Sequence, residues 1–153
     1  MNRAADATPR DIADPRVAAI VAWFEQFSAA DLRLIDRYYA TDARFKDPFN
    51  DVTGIDAITA VYRHMFETLE QPRFVINDVI VQRDQCFIGW DFEFRLRRLG
   101  NTPQTIRGAS HLRLDASGLI TVHRDYWDAA EELYEKIPLL GSLMRWLRRR
   151  ASA

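Results

Sequence analysis

Cysteine is nearly missing from this chain. Cys86 stands alone among 153 residues, which rules out an internal disulfide framework and suits a reducing, cytoplasmic setting. No stretch approaches the roughly 18 apolar residues that a membrane-spanning helix needs, and MNRAADATPRDIAD at the start has no apolar run of the signal-peptide kind. Neither sign of charge dominates. With 21 Lys and Arg against 22 Asp and Glu the formal net charge is −1, which argues neither for nor against a polyanionic partner, and no DNA- or RNA-binding motif is present. Repeats of about 20–50 residues and low-complexity linkers are also absent.

What is there is ordinary globular material, 48% hydrophobic and 28% charged, enough for one domain with a single core. Residues 1–13 are small and polar and are expected to form a disordered tail. Asp14-Pro15 starts a helix, with Asp as cap and Pro in the first turn, and Val17, Ile20, Val21, Phe24 and Phe27 follow at helical spacing. A second helix is expected after Ser28-Ala29-Ala30, with Leu32, Ile35, Tyr38 and Tyr39 on its buried side. Asp42–Pro48 reads as a short extended piece broken by its proline. A third helix follows Gly54, carrying Ile58, Val61, Met65, Phe66 and Leu69. After Pro72 the period becomes two, with strands expected at Phe74–Gln82, Phe87–Leu99, Ile106–Leu114 and Leu119–Trp127 between turn-type sequences. Helices first and strands afterwards indicate an α+β fold.

Leu119–Gly141 says most about function. Thr121, His123, Asp125 and Trp127 alternate with Ile120, Val122, Arg124 and Tyr126, so one face of the strand carries an imidazole, a carboxylate and an indole. Asp128 then caps a helix, with Glu131 placed as in a capping box and Leu133 and Ile137 on one stripe, up to Pro138. Ser142 starts a last, amphipathic basic helix over residues 138–153, ending in Arg148-Arg149-Arg150. Its apolar stripe is expected to pack on the sheet or a partner subunit, with contact to an anionic membrane surface as the lesser alternative.

Two stretches carry a family resemblance. Tyr39–Ala43, Phe45-Lys46-Asp47-Pro48-Phe49, Gly54 and Ala57–Tyr62 resemble ketosteroid isomerase, and Ile120–Asp128 resembles the last strand of limonene epoxide hydrolase. Both belong to the nuclear transport factor 2-like superfamily, with the SnoaL-type polyketide cyclases as a further branch. The resemblance implies a cone of curved antiparallel sheet over residues 14–137, three N-terminal helices enclosing a ligand pocket, a C-terminal helix and a homodimer. The isomerase places its general base on Asp47 and a pocket tyrosine on Tyr62; its oxyanion-hole tyrosine and aspartate positions hold Trp23 and Ser110, which still donate hydrogen bonds. The hydrolase places one carboxylate on Asp125 and a second on Glu93, with Asp91 at its arginine position and Arg95 as a replacement cation.

Each group also has a plainer reading. Asp47 before Pro48 is a common turn former. Asp125 in mid-strand is disfavoured unless exposed or functional. His123, two residues away on the same face, is a second proton carrier or a satisfied structural histidine, its direction towards Asp125 not ideal for a hydrogen bond. Trp23 and Trp127 wall the cavity or simply pack in the core. Along Trp90–Arg97 the simplest register puts Trp90, Phe92 and Phe94 inward and Asp91, Glu93 and Arg95 in water, while the aligned relatives suggest the reverse. His64 is expected half-exposed and His111 away from the pocket; neither completes a metal site. The expectation is a cofactor- and metal-free isomerase or cyclase in which Asp47 or Asp125 moves a proton and His123, Ser110, Tyr62 or Trp23 stabilises an oxyanion on an apolar, carbonyl-bearing ligand. A binding or dimerisation module without chemistry is the alternative, an epoxide-hydrolase-like enzyme the third.

Overall fold

The computed structural model describes residues 11–96 and 101–129. Helix α1, Pro15–Glu25, starts where Asp14 accepts a hydrogen bond from the Arg16 amide at 2.9 Å, and it buries Val17, Ile20, Val21, Trp23 and Phe24. The expected second helix is instead a 3-10 segment, Ala29–Arg37, held at its start by Asp31, which accepts from the Ser28 amide at 2.9 Å. This tight element buries only Ile35. Tyr39 leaves it for strand β1, Tyr39–Lys46, where it pairs with Ile120. Tyr39 is therefore buried as expected, but from an inner strand of the sheet and not from the buried side of a helix.

A turn at Asp47-Pro48 returns the chain as the short strand β2, Asp51–Thr53, which the sequence reading did not anticipate. Gly54, at φ +96°, then leads into α2, Ile55–Thr68, through a left-handed conformation that suits glycine alone. Strands β3, Glu70–Gln82, β4, Gln85–Arg95, β5, Pro103–Leu114, and β6, Ile120–Tyr126, follow. Pro72 lies inside β3 and is tolerated because β3 is an edge strand.

The sheet has the order β2-β1-β6-β5-β4-β3, antiparallel except for β1 beside β6. Its register slips at Glu70/Arg73, Ile76/Asp78 and Arg113/Leu114, and such bulges bend a sheet. The result is a curved, unclosed α+β cone. Helix α1 packs against β3, and α2 against β1 and β3, so both lie over the inner face. On β4 Cys86, Ile88, Trp90, Phe92 and Phe94 are buried while the intervening residues face outward, which settles the register in favour of inward aromatics. Among the described residues no helix is long and apolar enough to cross a membrane. The helix expected after Asp128, the basic helix of residues 138–153 and most of the N-terminal tail lie outside the described residues.

Candidate functional site

The inner face of β6 places His123 and Asp125 side by side, as its alternation requires. The His123 Nε2 to Asp125 Oδ1 distance is 2.8 Å, with the two side chains 3% and 13% exposed; the two-residue spacing permits a direct hydrogen bond after all. Ser110, opposite Asp125 on β5, donates to the same Oδ1 at 2.5 Å. Trp90 on β4 donates its indole N–H to Ser110 Oγ at 2.9 Å. On the other side, Tyr39 Oη lies 2.6 Å from His123 Nδ1 and 2.9 Å from Tyr62 Oη. Six side chains from β1, α2, β4, β5 and β6 thus form one hydrogen-bonded row through the core.

Gly108 makes room for one end of it. A Cβ at this position would sit 2.4 Å from Trp90 Cη2, so only glycine lets the indole lie across β5 and reach Ser110. At the other end, burial raises Tyr39 and Tyr62 well above the usual phenol range, so both stay protonated.

The row borders two spaces. One, of about 10 Å³, is lined by Ser110, His123, Asp125 and apolar neighbours such as Phe24 and Ile76 and is about the size of a single water. The other, of about 720 Å³, is walled by apolar residues including Phe92, Phe94, Ile106, Val61 and Met65, with Tyr62, Asp47, His64, Asp125 and Trp127 also on its lining. Asp125 borders both. Phe49 and Trp127 meet edge to face at 5.4 Å on the wall of the large one.

The candidates from sequence therefore divide. His123, Ser110, Asp125 and Tyr62 come together, and Trp127 joins them on the cavity wall. Asp47 also lines the cavity, but both its oxygens are engaged in its own turn: Oδ1 accepts from the Phe49 amide at 2.7 Å, the Asn50 amide at 2.6 Å and Asn50 Nδ2 at 3.0 Å, and Oδ2 accepts from Asn50 Nδ2 at 3.0 Å. Two placements are corrected. Trp23 lies outside the lining of either cavity; it stacks on Tyr38 at 4.3 Å in the aromatic core, because helix α1 turns that face towards the 3-10 segment. Glu93 faces outward, paired with Arg73 on β3 at 2.6 Å, because its neighbours Phe92 and Phe94 take the inner face. Arg95 likewise donates outward, to the Asn101 carbonyl at 3.0 Å. His64 is exposed at the cavity rim, and His111 packs outside on Phe87 and bonds Gln85 at 2.9 Å. Tyr39 and Trp90 were missed as site residues. The Tyr38-Tyr39 pair gave no signal for which ring points inward, whereas the alternation of Trp90 with Asp91 did.

Residues 20–123 match one family, the SnoaL-like domain. The chain belongs to the SnoaL-like family. Solved structures similar to this SnoaL-like protein include a putative SnoaL-like polyketide cyclase from Jannaschia sp. CCS1, with TM-score 0.66 and 16% identity over 76% of this chain and 87% of that one. TerC co-crystallised with polyporic acid is similar at TM-score 0.66 and 20% identity, over 77% of this chain and 95% of that one. An LEH-like epoxide hydrolase of M. tuberculosis gives TM-score 0.64 and 16% identity, over 88% and 96%. At these identities the likeness is one of fold. No curated protein matches the chain. Among the described residues of this SnoaL-like domain no group of three His, Cys, Asp or Glu is placed to hold a metal ion.

Proposed function

We propose that this SnoaL-like protein is a cofactor-independent isomerase or cyclase that moves a proton on an apolar, carbonyl-bearing small molecule of steroid, polyketide or terpenoid type, with Asp125 as the acid–base group. The observation that carries the reading is a carboxylate on the wall of an apolar cavity of about 720 Å³, a volume within the usual range for small-molecule sites. Ser110 donates to Oδ1 and His123 Nε2 lies 2.8 Å from the same oxygen, and among the described residues no hydrogen bond occupies Oδ2, which is left to exchange a proton. A base held by two donors at one oxygen keeps its orientation through turnover. Asp47, committed to its turn, takes no part in the chemistry. The polyketide-cyclase and polyporic-acid neighbours fit a ligand of this kind.

The hydrolase alternative requires a cation beside two inward carboxylates, and the outward Glu93 and Arg95 count against it. The homodimer belongs to the proposal too, with the outer sheet face as the contact: Ile80, Phe87 and Tyr126 are 67%, 44% and 47% exposed there. The test is a panel of apolar ketones such as 2-tetralone in D₂O, followed by NMR. The enzyme is expected to exchange the hydrogen next to the carbonyl. Binding without exchange across the panel would instead favour a ligand-binding module.

A further inference from the structure

The hydrogen-bonded row has a direction. Asp125 Oδ1 accepts from Ser110 and is the bare oxygen of the carboxyl, so His123 Nε2 carries the hydrogen between them. Nδ1 of the neutral ring is then a lone pair, and Tyr39 donates to it. The Tyr39 oxygen accepts in turn from Tyr62. Every hydrogen from Tyr62 to Asp125 therefore points inward, and the Tyr62 oxygen is left with lone pairs free to accept. Tyr62 and Asp125, the two ends, border the same large cavity.

We propose that this row is a proton circuit: a substrate hydroxyl conjugated to the carbonyl, an enol or phenol, docks on Tyr62, and its proton reaches Asp125 through Tyr39 and His123. The inference rests on the acid–base reading of Asp125 and narrows its substrate to a keto–enol pair or a compound that tautomerises like one. In the step the substrate O–H bond breaks and its proton bonds to Tyr62 Oη. Tyr62 passes its own to Tyr39, Tyr39 to His123 Nδ1, and His123 Nε2 to Asp125 Oδ1, while the proton held on Oδ2 leaves for carbon. The O–H electron pair becomes the carbonyl π bond, the C=C pair takes up the proton that Asp125 releases to carbon, and the protein ends with as many protons as it began. Its hydrogens now point outward, which sets the row for the reverse, enolising reaction. Burial keeps both phenols protonated at rest, so the shift passes along the row without a resting tyrosinate. Tyr62 is the catalytic residue at the oxygen; Tyr39 and His123 are positioning residues that carry the proton behind it.

Two measurements on the whole chain test this. The first is ¹⁵N NMR of His123 in the free protein, where the circuit requires hydrogen on Nε2 and a bare Nδ1 that shifts when Tyr39→Phe removes its donor. Hydrogen resting on Nδ1, or no shift in that variant, overturns it. The second is exchange of 2-tetralone, where Tyr62→Phe and Tyr39→Phe are each expected to lower kcat about 10²-fold with KM little changed. Wild-type rates in both variants overturn the circuit while leaving Asp125 as the base. A wild-type rate in Asp125→Asn removes the underlying reading instead. Should either tyrosine variant fail to fold, the nitrogen that carries the hydrogen in the wild-type protein still decides.

Discussion

Asp125 owes its place to Ser110 as much as to His123. The Ser110 hydroxyl spends its hydrogen on Oδ1 and its lone pair on the Trp90 indole, at 5% exposure. In Ser110→Ala the buried indole N–H loses its acceptor, at a cost of about 1–3 kcal/mol. Urea unfolding should show that loss, and exchange activity should fall because the carboxylate is held from one side only; a variant as stable and active as the parent would show the row to be incidental. At this scale the sequence was readable where the alternation of β6 put His123, Asp125 and Trp127 on one face. It was not readable where the partner comes from afar. Tyr39 lies 84 positions from His123, and only the folded pairing of β1 with β6 brings them together. Trp23 and Glu93 were placed by likeness to relatives, and local packing on α1 and β4 decided otherwise.

At the scale of elements, the pairing of β4 with β5 at Trp90 depends on Gly108. Gly108→Ala pushes a methyl group into the Trp90 ring, and overpacking of this kind costs about 1–3 kcal/mol. The expected result is a lower unfolding midpoint together with a changed tryptophan emission; an unchanged midpoint would mean that Trp90 has another place to go. The start of α1 carries a pH dependence. Arg16 donates two hydrogen bonds to Asp14, at 3.1 and 2.7 Å, and holds its carboxyl at about 2 against an ordinary 3.8. Between those values the unfolded chain binds the proton more readily than the folded one, so the contribution is complete above 3.8 and is lost as pH falls towards 2. Asp14→Asn keeps an acceptor at the cap and should flatten that part of the acid unfolding curve; an identical curve in the variant would place the acid sensitivity elsewhere. The strands were legible because their period of two is strong over many residues. The 3-10 segment and the three-residue β2 were not, since their apolar residues are too few to set a period.

For the whole molecule, the helix-then-strand order gave the class, and the alternation along β4 gave its simplest register correctly. Curvature was legible only through the family resemblance, because bulges arise from the pairing of strands and carry no residue signature in β3. The outward Ile80 and Phe87 sit opposite each other on β3 and β4, with Tyr126 on β6 on the same side. Sedimentation should therefore find a dimer that Phe87→Glu drives towards monomer; a monomeric parent would end that proposal. The proposed chemistry rests on Asp125 at the cavity, with Asp47 confined to its turn. The measurement that tests this most directly is the rate of deuterium exchange next to the carbonyl of 2-tetralone in Asp125→Asn and Asp47→Asn, both checked for folding by circular dichroism. Exchange is expected to fall on the order of 10²–10⁴-fold in the first and to be retained, within the effect of a loosened turn, in the second. Retention in Asp125→Asn with loss in Asp47→Asn would contradict it and move the chemistry to the cavity rim.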